Sequence, residues 1–238
     1  VMRECLDTEE HPETIPVILA LDVTGSMGPA CKACAAQLNE IMTSLYKNVK
    51  DVEFLVMGIG DLACDSAPIQ ASQFESDIRI LDQMMNVYFE GGGGGNGFES
   101  YTAAWYFGLN NTKLDCWNRG RKGIIITMGD EPLNPYLPGR AFDKVFGYSS
   151  QDIDTVDLYK QVIEKYDIYH IIITDPETSA WRYLEKDKET WGKLLDGQHL
   201  FDKKSDELPE IIHDIVLAQV DDAGITNTVT VTEEGIAW

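Results

Sequence analysis

The chain has 238 residues, 44% of them hydrophobic and 25% charged, enough to bury one substantial core. Its 19 basic and 40 acidic residues give a net charge of −21, which argues against phosphate-backbone binding and is compatible with cations or basic partners, or simply with solubility. The longest apolar run, Ile15 to Leu21, is too short to span a bilayer, and five cysteines cannot all pair within the chain. No membrane span, no nucleic-acid partner and a reducing, cytoplasmic setting are the expectations.

Residues 1–14 read as an N-terminal extension, 15–220 as one domain, and 221–238 as a tail. The apolar run Val17–Leu21 predicts a buried parallel strand. Cys31, Cys34, Ala35, Leu38, Ile41, Met42 and Leu45 then follow helical spacing, so the Cys-x-x-Cys pair belongs to a packing face rather than to zinc or redox chemistry. Further strands are expected at Phe54–Ile59, Gly123–Thr127 and Ile168–Thr174. Helices are expected at Tyr101–Leu109, across Ile153–Tyr166, and after Ser205, placed as a cap before Leu208, Ile211, Ile212 and Ile215. Trp181, Trp191 and Tyr183 read as packing residues. The stretch from Leu133 to Ser150 reads as a long, site-shaping loop, and Thr226–Thr232 alternates like an edge strand.

Strands alternating with helices predict an α/β fold, doubly wound and Rossmann-like, with a mostly parallel central sheet and helices on both faces. In such sheets ligands gather beyond the carboxyl ends of the strands. Asp22, Thr24 and Ser26 follow the first buried strand, and Asp61 and Asp65 the second. Asp130 and Glu131 follow the third, while Glu99 and Ser100 follow the glycine tract Gly91–Gly95. Carboxylates brought together repel unless a cation neutralises them, and hydroxyls add ligands without charge. An all-oxygen set of this kind suits a hard divalent ion, Mg²⁺ or Mn²⁺ (or Ca²⁺), rather than zinc. The four histidines lack ligand spacing, and the glycine tract lacks the Gly-Lys-Ser/Thr end of a phosphate-binding loop.

Asp22-Val-Thr24-Gly-Ser26 resembles the Asp-x-Ser/Thr-x-Ser signature of the von Willebrand factor A domain and its metal-ion-dependent adhesion site. The glycines running into Glu99-Ser100-Tyr-Thr102-Ala-Ala104 resemble that family's second loop, and Thr127-Met-Gly-Asp130-Glu131 its third. The similarity covers roughly residues 15–220 and is strongest for a stand-alone microbial branch. It implies a non-catalytic, Mg²⁺-dependent protein-binding module. Asp22, Thr24, Ser26 and Asp130 would hold the ion, and a partner protein would supply a carboxylate to it.

Counting back from Ala104 sets Glu99 where the family has its metal-binding Thr, with Ser100 and Thr102 as alternatives. A glutamate there adds negative charge, which holds the ion more tightly and weakens its pull on a partner's acid. Asp61, Asp65, Ser100, Thr102 and Glu131 are expected as supporting positions around the ligands. Relatives of this kind often work beside an ATPase or kinase. The same first motif also resembles the phosphorylated-aspartate motif of haloacid-dehalogenase-type, Mg²⁺-dependent phosphohydrolases, with Asp22 as nucleophile. That chemistry wants a lysine well upstream of Gly129-Asp130, and the nearest, Lys122, lies just before the strand.

Overall fold

The computed structural model describes residues 1–87, 89, 91–92, 97–147 and 151–221. In chain order, β1 (Arg3–Cys5) and β2 (Ile15–Asp22) lead through a 3-10 turn at Gly25–Met27 into α1 (Pro29–Asn48). Next come β3 (Val52–Ile59), β4 (Ile69–Ala71), α2 (Arg79–Met84), α3 (Thr102–Asn110), β5 (Thr112–Leu114) and β6 (Gly123–Gly129). After β7 (Tyr136–Leu137), β8 (Ile153–Asp154) and α4 (Thr155–Val162) the chain makes β9 (Tyr166–Ile173), α5 (Ala180–Trp191), β10 (Leu200–Lys203) and α6 (Leu208–Asp221).

Six strands form the central sheet in the order β10-β9-β6-β2-β3-β4. All neighbours pair in parallel except β4, which runs antiparallel to β3 at the edge. The expected doubly wound α/β architecture is what the chain adopts. Parallel strands need both faces covered, and the Val, Ile and Leu runs of β2 and β6, with the Tyr and Ile residues of β9, supply apolar side chains to each. Val17, Leu19, Ile124 and Ile126 face α1 and α6, joining Leu38, Met42, Ile212 and Val216. Ile18, Ala20, Leu55 and Ile125 face the other way, joining Trp105, Tyr159 and Trp191.

Three of the four expected core strands appear with slightly longer bounds, the fourth starts at Tyr166 and ends at Ile173, and Cys31 and Cys34 are buried on α1 as free thiols. The N-terminal residues are integrated into the body: β1 pairs with β5, Cys5 is buried, and Arg119 contacts both Asp7 and the Thr14 carbonyl.

Three expectations need correction. Helical periodicity across Ile153–Tyr166 overshoots at both ends, because Ile153 belongs to β8 and Tyr166 opens β9. The Asp154 carboxylate accepts from the Asp157 N–H and fixes the true start of α4. Ser205 does not cap α6: it lies inside a 3-10 turn, and its hydroxyl and N–H donate to the two oxygens of Asp175. Trp181 and Tyr183 are exposed on α5 rather than packed, whereas Trp191 is buried. The long excursion after β6 carries β7 and a 3-10 segment, Gly139–Lys144. The proposed edge strand at Thr226–Thr232, most of the glycine tract and residues 148–150 lie outside the described residues. Among the described residues, no helix is long and apolar enough to cross a membrane.

Candidate functional site

The register of the sheet decides what meets at its carboxyl edge. In the β2–β3 pair Asp22 stands opposite Ile59, and in the β2–β6 pair Leu21 stands opposite Met128. Asp22, Gly60-Asp61 and Gly129-Asp130 therefore leave the sheet level with one another. The first loop turns sharply at Gly28, whose φ of +49° favours glycine, before Pro29 opens α1. Gly91 and Gly92, the described start of the glycine-rich segment, lie directly on this loop. Gly25 N–H donates to the Gly92 carbonyl at 2.9 Å and Gly91 N–H to that of Val23 at 3.2 Å. A Cβ on Gly25 would stand 2.9 Å from the Gly91 oxygen, so the contact excludes a side chain.

Asp22 is completely buried. Its Oδ1 accepts from the Thr24 N–H (2.9 Å) and hydroxyl (2.6 Å), and its Oδ2 accepts from the Tyr101 hydroxyl at 2.6 Å. The Ser26 hydroxyl donates to Asp130 Oδ1 at 2.9 Å and lies 3.4 Å from Thr24 Oγ1. The Ser179 N–H, ahead of α5, donates to Asp130 Oδ2 at 2.7 Å. Four of the five expected ligands, Asp22, Thr24, Ser26 and Asp130, thus form one hydrogen-bonded chain across two loops.

The second loop separates its three alternatives. Thr102 Oγ1 accepts from Asn134 Nδ2 (2.6 Å), and Ser100 Oγ accepts from the Leu62 N–H (2.9 Å). Both hold loops together. Glu99 is also buried, but its Oε2 has no hydrogen-bond partner. Asp61 and Asp65 build the β3–β4 turn: Asp65 Oδ2 accepts from the Asp61 N–H (2.7 Å), and Asp61 Oδ1 from that of Ala63 (2.9 Å). Glu131 donates its N–H to the Tyr101 hydroxyl at 3.2 Å, and its carbonyl accepts from the Trp191 indole.

Burial raises four carboxyls of this edge, Asp22, Glu99, Asp130 and Glu131. Asp22 is pushed up by desolvation and then by the negative charge of Asp130. Glu99 is raised by desolvation and then by Asp22, Asp61 and Asp65. Desolvation also lifts Asp130, and, with Asp130's charge, moves Glu131 up to about 7. Asp187, on α5 with neither oxygen partnered, is raised to about 8 by burial and then by Glu131 and Asp130. Acids in this state gain when a positive charge is placed among them.

Among the described residues, no three His, Cys, Asp or Glu side chains converge tightly enough to chelate a metal by themselves. The donor set that does converge is two carboxylates with two hydroxyls. That composition, with Glu99 Oε2 buried and unpaired beside it, fits a hard divalent cation and does not fit zinc.

Sequence reasoning missed Tyr101, which ties the first and third loops together. The available signal was Gly129, a glycine inside a buried strand: a Cβ there would collide with the Tyr101 hydroxyl. It also missed His170, which stacks on Trp191 at 3.5 Å between ring centroids and shares a 2.7 Å hydrogen bond with Thr127.

No family model and no curated protein matches the chain. Solved structures do. The pilus adhesin SpaC of Lactobacillus rhamnosus GG, in its open conformation, superposes with a TM-score of 0.57 at 12% identity, covering 90% of this chain and 30% of the adhesin. A second form of SpaC gives 0.56 at 12% identity, over 90% of this chain and 31% of that one. Proximal thread matrix protein 1 of the mussel byssus gives 0.53 at 12% identity, over 88% and 49%. The chain therefore spans about a third of the adhesin and half of the mussel protein. At 12% identity these likenesses establish the fold and nothing further about what this chain does.

Proposed function

We propose that this chain is a non-catalytic protein-binding module of von Willebrand factor A type, dependent on Mg²⁺ and recognising its partner through the carboxyl edge of the sheet. The observation that carries the reading is the Ser26–Asp130 hydrogen bond of 2.9 Å, which joins oxygen donors from loops 104 residues apart beside the buried Asp22–Thr24 pair. Asp22, Thr24, Ser26 and Asp130 would hold the ion, with Glu99 as the fifth donor. When bound, the ion supplies a hard coordination position for a carboxylate from the partner protein.

The chain's own groups do the positioning. Tyr101 fixes Asp22 from behind, and the Ser179 N–H holds Asp130 with one oxygen turned toward Ser26. Both oxygens of Asp22 are engaged and the residue is completely buried, which suits a fixed ligand better than an attacking nucleophile. The phosphohydrolase reading therefore stands second. One protein sharing the fold carries the name pilus adhesin, in keeping with a binding role. The net charge of −21 favours a basic partner protein over nucleic acid, and we place the chain in the cytoplasm on its odd, unpaired cysteines.

Thermal unfolding with and without the ion tests the reading. Mg²⁺ at about 100 times its dissociation constant should stabilise the parent by about 2.7 kcal/mol. Asp22→Ala should fold and lose that rise. An unchanged Mg²⁺ response in the variant refutes the assignment, and Asp22-dependent hydrolysis of p-nitrophenyl phosphate would install the phosphohydrolase reading instead.

A further inference from the structure

Beside the proposed ion site the fold leaves an apolar cleft of about 570 Å³ between α1 and the short helix α2, floored by Val56 and Met57 of β3. It exists because α2 spans only Arg79–Met84 and covers little of the sheet face next to the twenty-residue α1. Its outer rim is apolar where solvent would favour polar side chains: Met85 is 84% exposed and Phe89 47%. Lys32 is the one charged side chain among the described residues that line it.

The cleft and the ion site share a wall. Val23 and Gly28 line the cleft and bracket Thr24 and Ser26 in sequence, and Cys31, also lining it, lies near enough to Asp22 to feel its charge. The volume falls in the range that accepts a small ligand or a few large side chains. Methionines in the lining adapt to differing shapes, and Lys32 at the rim favours an acid nearby.

Resting on the Mg²⁺-dependent reading above, we infer that this cleft is the specificity pocket of the binding face: it takes large apolar side chains from a protein segment whose neighbouring Asp or Glu reaches the ion. The acid alone gives little discrimination, since every protein surface carries carboxylates. Burial of apolar side chains beside it supplies both affinity and choice.

The test uses the whole chain and a phage-displayed library of random twelve-residue peptides, selected with Mg²⁺ and eluted at low pH. Enriched peptides should combine one acid with at least two large apolar residues. A synthetic copy should bind at least tenfold more weakly to Ala36→Trp, which fills the cleft from an exposed position on α1, and to Met85→Glu, which charges its rim. Both variants should keep the parent's Mg²⁺-induced rise in melting temperature, while Asp22→Ala loses peptide and rise together. Mg²⁺-dependent peptides that bind both cleft variants as tightly as the parent overturn the cleft and leave the ion site standing. Peptides that are weakened by the cleft variants but indifferent to chelator and to Asp22→Ala remove the ion site from the binding face. Enrichment of acidic peptides without apolar residues also overturns the proposal.

Discussion

Replacing Tyr101 by Phe removes one oxygen and nothing else from a completely buried ring. That oxygen donates to Asp22 Oδ2 at 2.6 Å and accepts from the Glu131 N–H at 3.2 Å, so one buried and one half-buried group lose a partner at once. A hydrogen bond to a charged group is worth about 1.5–3 kcal/mol, and the orphaned carboxylate oxygen adds its own desolvation cost. The ring keeps its edge contacts with His170 and Trp191, at 5.3 and 5.5 Å between centroids, so no cavity term is expected. For a chain of this size each kcal/mol lowers the melting temperature by roughly 2–4 °C, giving a fall of about 3–12 °C without added metal. The assay is thermal unfolding by circular dichroism with chelator, repeated across a Mg²⁺ titration. The variant should still respond to Mg²⁺ but need up to about tenfold more of it, because Asp22 is held less firmly. A variant within about 0.5 kcal/mol of the parent under chelator would show that the hydroxyl does not join the two loops, and the geometry of the ion site would have to be redrawn.

Two other substitutions probe the electrostatics of the same edge. Glu99→Gln keeps the shape but removes a carboxyl held among Asp22, Asp61 and Asp65; the protein under chelator should gain about 1 kcal/mol, while its Mg²⁺ response weakens. A loss of stability, or an unchanged Mg²⁺ response, removes Glu99 from the ligands. Asp187 is raised from 3.8 to about 8 in the folded state, so the folded protein holds that proton more tightly than the unfolded chain does. Its contribution is fully present below about pH 4 and is lost as pH rises toward 8. The parent should therefore lose stability across that window in chelator, and Asp187→Asn should flatten the slope. Denaturant midpoints at pH 5, 6, 7 and 8 check this, and a variant with the parent's slope refutes it.

The sheet is legible because four short, largely apolar runs are buried on both faces, the pattern that parallel core strands produce. The site's acids and hydroxyls were legible for a related reason: polar residues immediately after those runs must leave at the carboxyl edge. What escaped has physical causes too. Helix α5, Ala180–Trp191, buries only Ala180, Asp187 and Trp191, too sparse a stripe for periodicity to reveal. Strand β10 at the sheet edge is four residues with none fully buried. The donor from Ser179 is a backbone N–H, which any residue supplies, so side-chain identity carries no trace of it. The sequence around Tyr101 shows only the opening of a helix, because the residue that needs its hydroxyl lies 79 positions away. A serine before a helix suits a cap, yet at Ser205 the carboxylate of Asp175, thirty positions earlier, takes the hydroxyl instead.

The stack of Trp191 on His170, 3.5 Å between centroids with the rings 7° apart, has an optical consequence. An indole shielded from water, pressed flat on an imidazole and donating to the carbonyl of Glu131, emits according to the state of those neighbours. Binding events at the carboxyl edge that shift Glu131 or Tyr101 would alter its emission, so the protein carries an intrinsic fluorophore wired to its own candidate ion site.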